Sequence, residues 1–568
     1  MLISYRWLAR HVDLSGISAQ ELASQLSLST AEVEGVHEFA PALREVTVGH
    51  VVERAKHPDA DKLSVCRVDV GTGELLTIVC GAPNVAQGQR VVVATPGTVL
   101  PGDRKIKQSK IRGVESQGMI CSLRELGLGE EHEGIWTLVG TPRVGEKVAR
   151  ALDMEDWVLE IDNKSLTHRP DCWGHRGLAL EIAAIFRRES SPLELELPST
   201  GDGVPFPVSI ASPACTRYLA LPIDGARAAP SPDWLRALLL AVGQRPCDQL
   251  VDISNFVMLD LGQPNHVFDR HRLSARGIGV RAARAGETLQ TLDGTLASLI
   301  PADLLICSDD EPVALAGVMG GERSKVAGDT SALLLEVANF QPAGVRRTAM
   351  RLGLRSDASA RFEKSLDPLR VRDGAALFAR LLRELQPEVR FPAPITDVGN
   401  WRDPARTLEL RPARVRSVLG CEIPDAGILD ILARLQLPAR RHGEVFEVSI
   451  PAARATKDLT IEVDLIEEVG RIHRYGSIPE RALVGTIVPP VRDERRWLVR
   501  RIKDRLAGGA RFHEALGYSF QADELLTKLG IADLPHVELI NPVVENETRI
   551  RRSIAPSLIA RIERNRRA

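Results

Sequence analysis

Residues 46–122 contain the apolar runs VTVGHVVERA (46–55), LSVCRVDVG (63–71), LLTIVCGA (75–82), RVVVATPGTVLP (90–101) and KIKQSKIRGVESQGMICS (105–122). Each run is short, rich in β-branched residues and bounded by glycine or proline, which is typical of strands joined by turns. Five or so strands in a stretch of about 100 residues predict a small barrel, and the OB fold is the common five-stranded form. The sequence therefore predicts an OB-fold barrel over residues 40–151.

The chain outside the barrel is long enough for several more domains. Its 568 residues correspond to about four domains at the usual size. With 44% hydrophobic and 26% charged residues, the composition excludes collagen, coiled coil and long-range disorder. The formal charge of −2 means that any nucleic acid would have to be bound by local basic patches. We therefore expect a multidomain α+β protein.

Composition shifts divide the rest of the chain. The capping pattern Ser18-x-x-Glu21, with a second helix start near Ser29 and Thr30, predicts a small helical N-terminal domain from residues 1–39 plus 152–205, in which the barrel is inserted. A mixed α/β domain follows over 206–395, and SPDWLRALLLAVG within it predicts a helix capped by serine. Residues 400–480 alternate helix and strand, and 490–568 begin with another helix.

The cysteines indicate a reducing compartment. Eight cysteines are scattered without a C-x-x-C pair, which argues against a zinc ribbon and suits buried thiols in the cytosol. The N-terminus is charged, and no apolar run approaches the roughly 18 residues of a membrane span, so we expect no signal peptide and no membrane segment.

Four acidic residues lie close together in KDLTIEVDLIEEVGRIHRYG. Oxygen ligands grouped on one helix suit Mg²⁺, because unneutralised carboxylates would repel one another. The alternative is a solvated helix face on which Glu467 and Arg471 form a pair. The candidate ligands are Asp458, Asp464, Glu467 and Glu468.

A basic run lies in the last strands of the predicted barrel. Alternation along a strand would place several of its charges on one face, where they could follow a nucleic-acid backbone rather than read bases. A charged edge that blocks strand pairing explains the run equally well. The residues are Arg104, Lys105, Lys107, Lys110 and Arg112.

Several polar or small residues lie within apolar surroundings in the 206–395 domain. Glu336 interrupts the strand-like run ALLLEVANF, and a buried carboxylate needs a partner or a ligand. His266 in LGQPNHVFD, Gly320 in ALAGVMGGE, and Ser356 and Ala358 in LRSDASARFEKSLDP could line the same pocket. Taken singly, each of these residues is more often structural.

The motifs that bind ATP are missing. GVMGGER (317–323) and RFE (361–363) lack the spacing of the class II synthetase motifs, and no G-x-x-x-x-G-K-[ST] loop occurs. The chain is therefore not expected to activate an amino acid unaided.

Seven segments in this order resemble the β subunits of bacterial phenylalanyl-tRNA synthetases, over essentially the whole chain. They are HPDADKLSVCRVDVG, THRPDCWGHRGLALEIAA, VDISNFVMLDLGQPNHVFD, ALAGVMGGE, LRSDASARFEKSLDP, VDLIEEVGRIHRYGSIP and LINPVVENETRIRRSIAPSLI. The resemblance implies an α2β2 ligase that joins phenylalanine to tRNA(Phe) with ATP, releasing AMP and diphosphate, with the synthetic site in the α subunit.

The resemblance also assigns the domains. It implies a tRNA-binding barrel, a B3/B4-type editing domain at 206–395, a winged-helix-like B5-type Mg²⁺ domain at 400–480 and part of a catalytic-like module at 490–568. The expected partners are the α subunit and tRNA(Phe), with no membrane or DNA, in the cytoplasm. ATP is expected mainly on the α subunit.

The site residues follow from the same resemblance. Asp458, Asp464, Glu467 and Glu468 fall on the family's magnesium positions, which favours a metal over the solvated face. His266, Gly320, Glu336, Ser356 and Ala358 fall on the pocket that hydrolyses tyrosine mischarged onto tRNA. Ser356 stands where the family usually has threonine. Glu336 is expected to accept the hydrogen bond of the tyrosine phenol.

The C-terminal end departs from the family. Relatives continue into an anticodon-binding domain, which is expected to be absent here. The alternatives are therefore a stand-alone tRNA-binding and trans-editing module, or a non-catalytic scaffold.

Overall fold

A computed structural model describes residues 1–129, 134–482 and 485–566 of the chain. The chain forms two compact units, Met1–Pro479 and Glu480–Ala568, which we call unit one and unit two. Among the described residues, no helix has the length and apolar character needed to cross a bilayer.

Unit one begins with an N-terminal domain interrupted by a β-rich insertion. Its elements are, in chain order, β1 (Leu2–Ser4), α1 (Tyr5–Ala9), α2 (Ala19–Ser27), β2 (Val33–Glu38), β3 (Thr47–His57), β4 (Ala60–Asp69), β5 (Leu75–Cys80), β6 (Arg90–Ala94), β7 (Val99–Leu100), β8 (Arg104–Lys105), β9 (Ser109–Ile111), β10 (Val114–Ser116), β11 (Met119–Ile120), α3 (Val148–Ala151), β12 (Trp157–Ile161) and α4 (His175–Phe186).

The remainder of unit one holds two further domains. Their elements are β13 (Val208–Ile210), β14 (Cys215–Asp224), α5 (Asp233–Ala241), α6 (Gln249–Leu261), β15 (Asn265–Asp269), β16 (Ile278–Ala282), β17 (Thr288–Gln290), β18 (Leu296–Ser298), β19 (Leu304–Ser308), β20 (Glu311–Leu315), β21 (Met319–Gly320), β22 (Ala332–Phe340), α7 (Pro342–Leu352), α8 (Asp357–Phe362), α9 (Arg370–Leu385), β23 (Thr396–Gly399), β24 (Arg406–Leu410), α10 (Pro412–Leu419), α11 (Asp425–Arg434), β25 (Ala439–His442), β26 (Val445–Ile450), α12 (Ala452–Ala455) and α13 (Glu462–His473).

Unit two is sparse in regular structure. It contains α14 (Glu494–Asp504), β27 (Phe520–Gln521), α15 (Asp523–Lys528), β28 (Arg549–Ile550) and α16 (Ala555–Arg566). The helix predicted at the start of this segment is α14.

The N-terminal domain is only partly helical. Ser18 caps α2 by accepting a hydrogen bond from the backbone N–H of Glu21, as the sequence predicts. The second predicted helix is wrong, because residues 33–38 form β2, which pairs with β12 in a three-stranded sheet of order β1-β12-β2. The β-branched Val33 and Val36 pack on the domain core from this strand, where tertiary pairing outweighs a capping signal.

The predicted strands of the insertion are present. They form a five-stranded antiparallel sheet of order β11-β6-β3-β4-β5. The basic run does not form one continuous strand, as its alternation suggests, but is divided between β8 and β9. Ile106 separates the two strands because its side chain is buried and its backbone N–H bonds to Thr98.

Residues 206–395 form two main sheets, and strand β22 lies inside the first of them. This strand is buried along its whole length in a four-stranded sheet of order β15-β22-β14-β23. Because side chains alternate across a strand, Leu333, Leu335 and Val337 pack with α6 and α9 on one face. Leu334 and Ala338 on the other face pack with the second sheet, of order β13-β16-β19-β20-β21. Glu336 shares this second face.

The predicted serine cap of α5 is also wrong. Helix α5 begins after Pro232, without a side-chain cap. The hydroxyl of Ser231 donates instead to the buried carboxylate of Asp252 at 2.6 Å. A buried carboxylate depends on protein groups for its hydrogen bonds, whereas water can satisfy the exposed end of a helix.

Candidate functional site

Glu336 and His266 occupy directly opposite positions on the antiparallel strands β22 and β15. Directly opposite residues of such a pair project from the same face of the sheet with Cβ atoms about 5 Å apart. On the other side of β22, Ala220 of β14 is opposite Glu336 and adds only a methyl group. The register therefore places a carboxyl group and an imidazole side by side.

The carboxyl group of Glu336 lies in apolar surroundings. The residue is 5% exposed, and burial raises its pKa to about 8, while the hydroxyl of Tyr218 lowers it in part. No described residue forms an ion pair with it that would favour the charged form. Glu336 therefore carries a proton at neutral pH, so the ionised acceptor suggested by the sequence is a neutral acid in this structure.

The imidazole of His266 is held neutral by the same surroundings. Burial lowers its pKa to about 4. Its ring meets Phe268 edge-on, with centroids 4.4 Å apart. The Nε2 atom is shielded from solvent and has no hydrogen-bond partner among the described residues. An unpaired buried polar atom is costly, and this one is available to a bound molecule or water.

Gly320 contacts the His266 ring from the second sheet. A Cβ built on Gly320 would lie 2.6 Å from Cε1 of His266 and 3.0 Å from its Nε2. Only a glycine allows β21 to approach the imidazole this closely. The structure thus brings Glu336, His266 and Gly320 together.

Ser356 and Ala358 reach the same region through a neighbouring residue. Ser356 caps α8 by accepting from the backbone N–H of Ser359, and its hydroxyl donates to the carbonyl of Val318 at 2.6 Å. Val318 lies two residues before Gly320. Ala358 packs against the apolar core shared by the two sheets. The Ser356 hydroxyl already has both partners, so its evident task is to hold this loop.

Tyr218 on β14 is a residue that the sequence analysis missed. Its side chain is fully buried, and its hydroxyl lies beside Glu336. A tyrosine in an apolar strand is ordinary in sequence, and only the register across three strands reveals its neighbour.

The four predicted magnesium ligands do not form an oxygen cage. Asp464 caps its own helix, accepting from the backbone N–H groups of Thr460 and Ile461 at 2.7 and 2.9 Å. Glu467 is exposed. Asp458 pairs with the guanidinium of Arg454, which also contacts Glu468.

Asp458 and Glu468 belong to a buried network of arginines and carboxylates that joins residues 169–181 to residues 454–471. Arg471 donates to Glu468 and to Glu181 at 2.6 Å each. Against the opposing effect of burial, Arg454 and Arg471 lower the pKa of Glu468 to about 2. The network consists of Arg169, Asp171, Glu181, Arg454, Asp458, Glu468 and Arg471.

This pairing does not fit a Mg²⁺ site. An ion held by all four carboxylates would compete with arginines that already neutralise two of them. The alternative pairing of Glu467 with Arg471 is not seen either, because Arg471 bonds to Glu468 and Glu181.

The basic run is solvent-exposed and partly gathered around a cavity of about 640 Å³ in the β-rich insertion. Arg104, Lys105 and Lys107 line this cavity. Lys110 and Arg112 are placed further along, on β9 and at the turn after it. Among the described residues, no aromatic side chain lines the cavity, so this lining offers charge rather than a stacking surface.

Four family models match separate parts of the chain. Residues 46–147 match the family described as putative tRNA binding domain, and 214–387 match the B3/4 domain. Residues 408–475 match the tRNA synthetase B5 domain. Residues 478–568 match the phenylalanyl tRNA synthetase beta chain CLM domain.

Relatives that align with the whole of this chain are phenylalanine–tRNA ligase beta subunits. The phenylalanine–tRNA ligase beta subunit of Geobacillus kaustophilus is 38% identical over 576 residues, covering 100% of this chain and 71% of the relative. That of Moorella thermoacetica is 39% identical over 584 residues, with the same coverage. An N-terminal fragment of the Pyrococcus horikoshii subunit aligns at 13% identity and a TM-score of 0.31, covering 56% of this chain and 87% of that one. On the strength of the sequence relatives, the chain belongs to the family of phenylalanine–tRNA ligase β subunits.

Proposed function

We propose that this chain, as a β subunit, removes tyrosine from mischarged tRNA(Phe) at the site formed by Glu336, His266 and Gly320. An apolar synthetic pocket cannot strongly exclude an analogue that merely adds a hydroxyl group. A second site that bonds this hydroxyl can accept tyrosine and reject phenylalanine, because phenylalanine would leave a buried polar group unpaired. The juxtaposition of Glu336 and His266 carries the proposal.

The chemistry required is ester hydrolysis. A water oxygen adds to the ester carbonyl, the bond from that carbon to the ribose oxygen breaks, and the water's protons end on the tRNA hydroxyl and the released carboxyl group. Neutral His266 offers a free Nε2 that can accept a hydrogen bond from the water and orient it towards the ester. Glu336 bonds the phenol at the far end of the substrate. No covalent nucleophile is needed.

The basic cavity of the insertion supports tRNA binding. Arg104, Lys105 and Lys107 place positive charge where phosphates can approach, and the missing aromatic lining favours contacts to the backbone. Lys110 and Arg112 would extend this surface along β9. The insertion would thus hold tRNA largely without regard to its base sequence.

Unit two has the surface of a docking element. Ile540 and Ile487 are 96% and 95% exposed, and the apolar residues Tyr518 and Val543 are also exposed. An excess of large exposed apolar side chains is typical of surfaces that associate with another protein. We assign it to the α subunit of an α2β2 assembly in the cytoplasm, whose synthetic site would use ATP. Co-expression with α should yield a complex, and failure of the two to copurify would overturn this assignment.

Mg²⁺ at Asp458, Asp464, Glu467 and Glu468 stays a prediction from the family resemblance. The arginine pairing of Asp458 and Glu468 argues that the fold of this chain does not depend on the ion. We expect a chelator to leave its melting temperature unchanged. The expectation would be contradicted if the protein held Mg²⁺ in a one-to-one ratio and unfolded when the chelator removed it.

The Glu336→Ala variant tests the proposed function. Assembled with α, it should still charge phenylalanine onto tRNA(Phe) but should lose hydrolysis of Tyr-tRNA(Phe). Glu409→Ala, an exposed glutamate on β24, is the matched control and should hydrolyse normally. Unchanged hydrolysis in a folded Glu336→Ala protein would overturn the proposal.

A further inference from the structure

Tyr218 and Glu336 are diagonal neighbours on one face of the four-stranded sheet. Ala220 is opposite Glu336, and Tyr218, two residues earlier on β14, is opposite Ala338 of β22. The four side chains form a square in which the two large polar residues occupy one diagonal and the two alanines the other. Diagonal neighbours are about 7 to 8 Å apart at Cα, within the reach of a tyrosine. The alanines leave the space that the phenol needs.

Burial of the Tyr218 side chain fixes the position of its hydroxyl. The residue is fully buried, and its hydroxyl completes no hydrogen bond of good geometry with any described residue. Burial and then Glu336 raise the pKa of Tyr218 above its usual value, so the phenol keeps its proton. A protonated phenol thus lies beside a protonated carboxyl group, and the unpaired Nε2 of His266 completes the group.

No charge elsewhere on this face explains the arrangement. The titratable groups that face Glu336 are Tyr218 and Cys215 of β14 and His266 of β15. Burial and Glu336 raise the pKa of the Cys215 thiol, which is therefore neutral. Apolar side chains of the core shared by the two sheets pack on the same face. Among the described residues, burial and the Tyr218 hydroxyl account for the shifted pKa of Glu336, so a hydrogen bond is the interaction that can orient its carboxyl group.

We propose that Tyr218 is a positioning residue that orients the Glu336 carboxyl group for the phenol of a bound tyrosine. This proposal rests on the proposed editing function. A protonated carboxyl group has one donor and retains free acceptor positions. With tyrosine bound, the Tyr218 hydroxyl would close on the carbonyl oxygen of Glu336 and donate to it, which leaves the Glu336 O–H aimed at the incoming phenol oxygen. A phenylalanine would leave that O–H unpaired.

The test compares Tyr218→Phe with wild type, using L-tyrosine and L-phenylalanine as probes. Calorimetric binding to the full chain between pH 6 and 9.5 gives the ratio of the two affinities, in which the titration of the shared amino group cancels. Wild type should prefer tyrosine, and the size of the preference should change as Glu336 ionises near pH 8, because the carboxylate can accept from the phenol but no longer donate to it. Tyr218→Phe should reduce the preference about fivefold to tenfold, because one hydrogen bond is lost.

The pH at which the preference changes separates positioning from packing. Because the Tyr218 hydroxyl lowers the pKa of Glu336, its removal should move the midpoint to higher pH. Tyr5→Phe is the matched control: its hydroxyl bonds to Leu14 and Ile17 in the N-terminal domain, and its loss should leave ratio and midpoint unchanged. Should Tyr218→Phe not fold, Tyr218→Met removes the same hydroxyl at similar volume.

An unchanged ratio and midpoint in the folded variant would overturn the role of Tyr218 while leaving Tyr-tRNA hydrolysis, and hence the proposed function, intact. A wild-type chain that binds both amino acids equally would also overturn it. Loss of hydrolysis in Glu336→Ala is measured separately, so the two proposals can fail independently.

Discussion

Glu336 and His266 face each other across two antiparallel strands with their pKa values displaced in opposite directions. Burial raises the pKa of the acid to about 8 and lowers that of the imidazole to about 4. Both groups are therefore neutral at pH 7, within one buried patch. A neutral acid can form a hydrogen bond with a phenol without the cost of burying a charge, and a neutral imidazole can accept a hydrogen bond from water.

The Glu336→Gln variant should lack the pH dependence of stability that this carboxyl group gives to wild type. Because the folded-state pKa lies above the ordinary 4.5, the folded protein binds the proton more tightly than the unfolded chain, and wild type loses stability as pH rises from about 4.5 to 8. Glutamine mimics the protonated acid, so the variant should match wild type near pH 5 and be more stable at pH 8.5. Thermal melts at both pH values check this, and parallel curves would refute a raised pKa.

Gly320→Ala should impair Tyr-tRNA hydrolysis without unfolding the protein. The new methyl group would collide with the His266 ring, and displacing it by a fraction of an ångström should slow hydrolysis about tenfold to a hundredfold. Gly344→Ala, at a helical position with no heavy atom within 4 Å of the added carbon, is the control and should be slightly stabilising. Equal rates for the two variants would show that His266 is not part of the site.

Arg471→Met should destabilise unit one strongly. It would leave the buried carboxylates of the network with only Arg169 and Arg454 as cations, at a cost of about 3 to 5 kcal/mol in the free energy of unfolding. Arg188→Met removes the exposed pair with Asp13 and should cost less than about 1 kcal/mol. Urea unfolding measures both, and a small effect at Arg471 would mean that the network does not bind the two domains together.

The basic cavity should control the salt dependence of tRNA binding. The double change Lys105→Gln and Lys107→Gln removes two positive charges from the cavity lining and should lower the slope of log affinity against log salt by roughly 1.5. The control pair Lys164→Gln and Arg187→Gln removes the same charge from exposed positions of the N-terminal domain. If both pairs of substitutions lowered the slope equally, the salt dependence would reflect only the net charge of the protein and not the cavity.

Sequence periodicity located most strands and helices, since short apolar runs and turn residues are local signals. The strand β22 follows directly from ALLLEVANF. Residues 33–38 were misassigned because their strand exists only by pairing with β12, more than 110 residues away. The Ser231 cap was misassigned for the same reason, since its partner Asp252 belongs to another helix.

The site was predictable in its members but not in its electrostatics. A glutamate in an apolar strand is visible in sequence, whereas its protonation depends on there being no cation nearby in space. Likewise, the acidic residues of KDLTIEVDLIEEVG suggest a metal until Arg169, 289 positions before Asp458, is found beside one of them. Tyr218 became visible only through strand register.

The most direct test of the account is the rate at which the wild-type protein hydrolyses Tyr-tRNA(Phe) relative to Phe-tRNA(Phe). A site that bonds the phenol should favour the tyrosyl ester by a factor of roughly 10⁴. Replacing Glu336 with alanine should abolish that difference. Equal hydrolysis of the two esters by wild type, or none of either, would contradict the account.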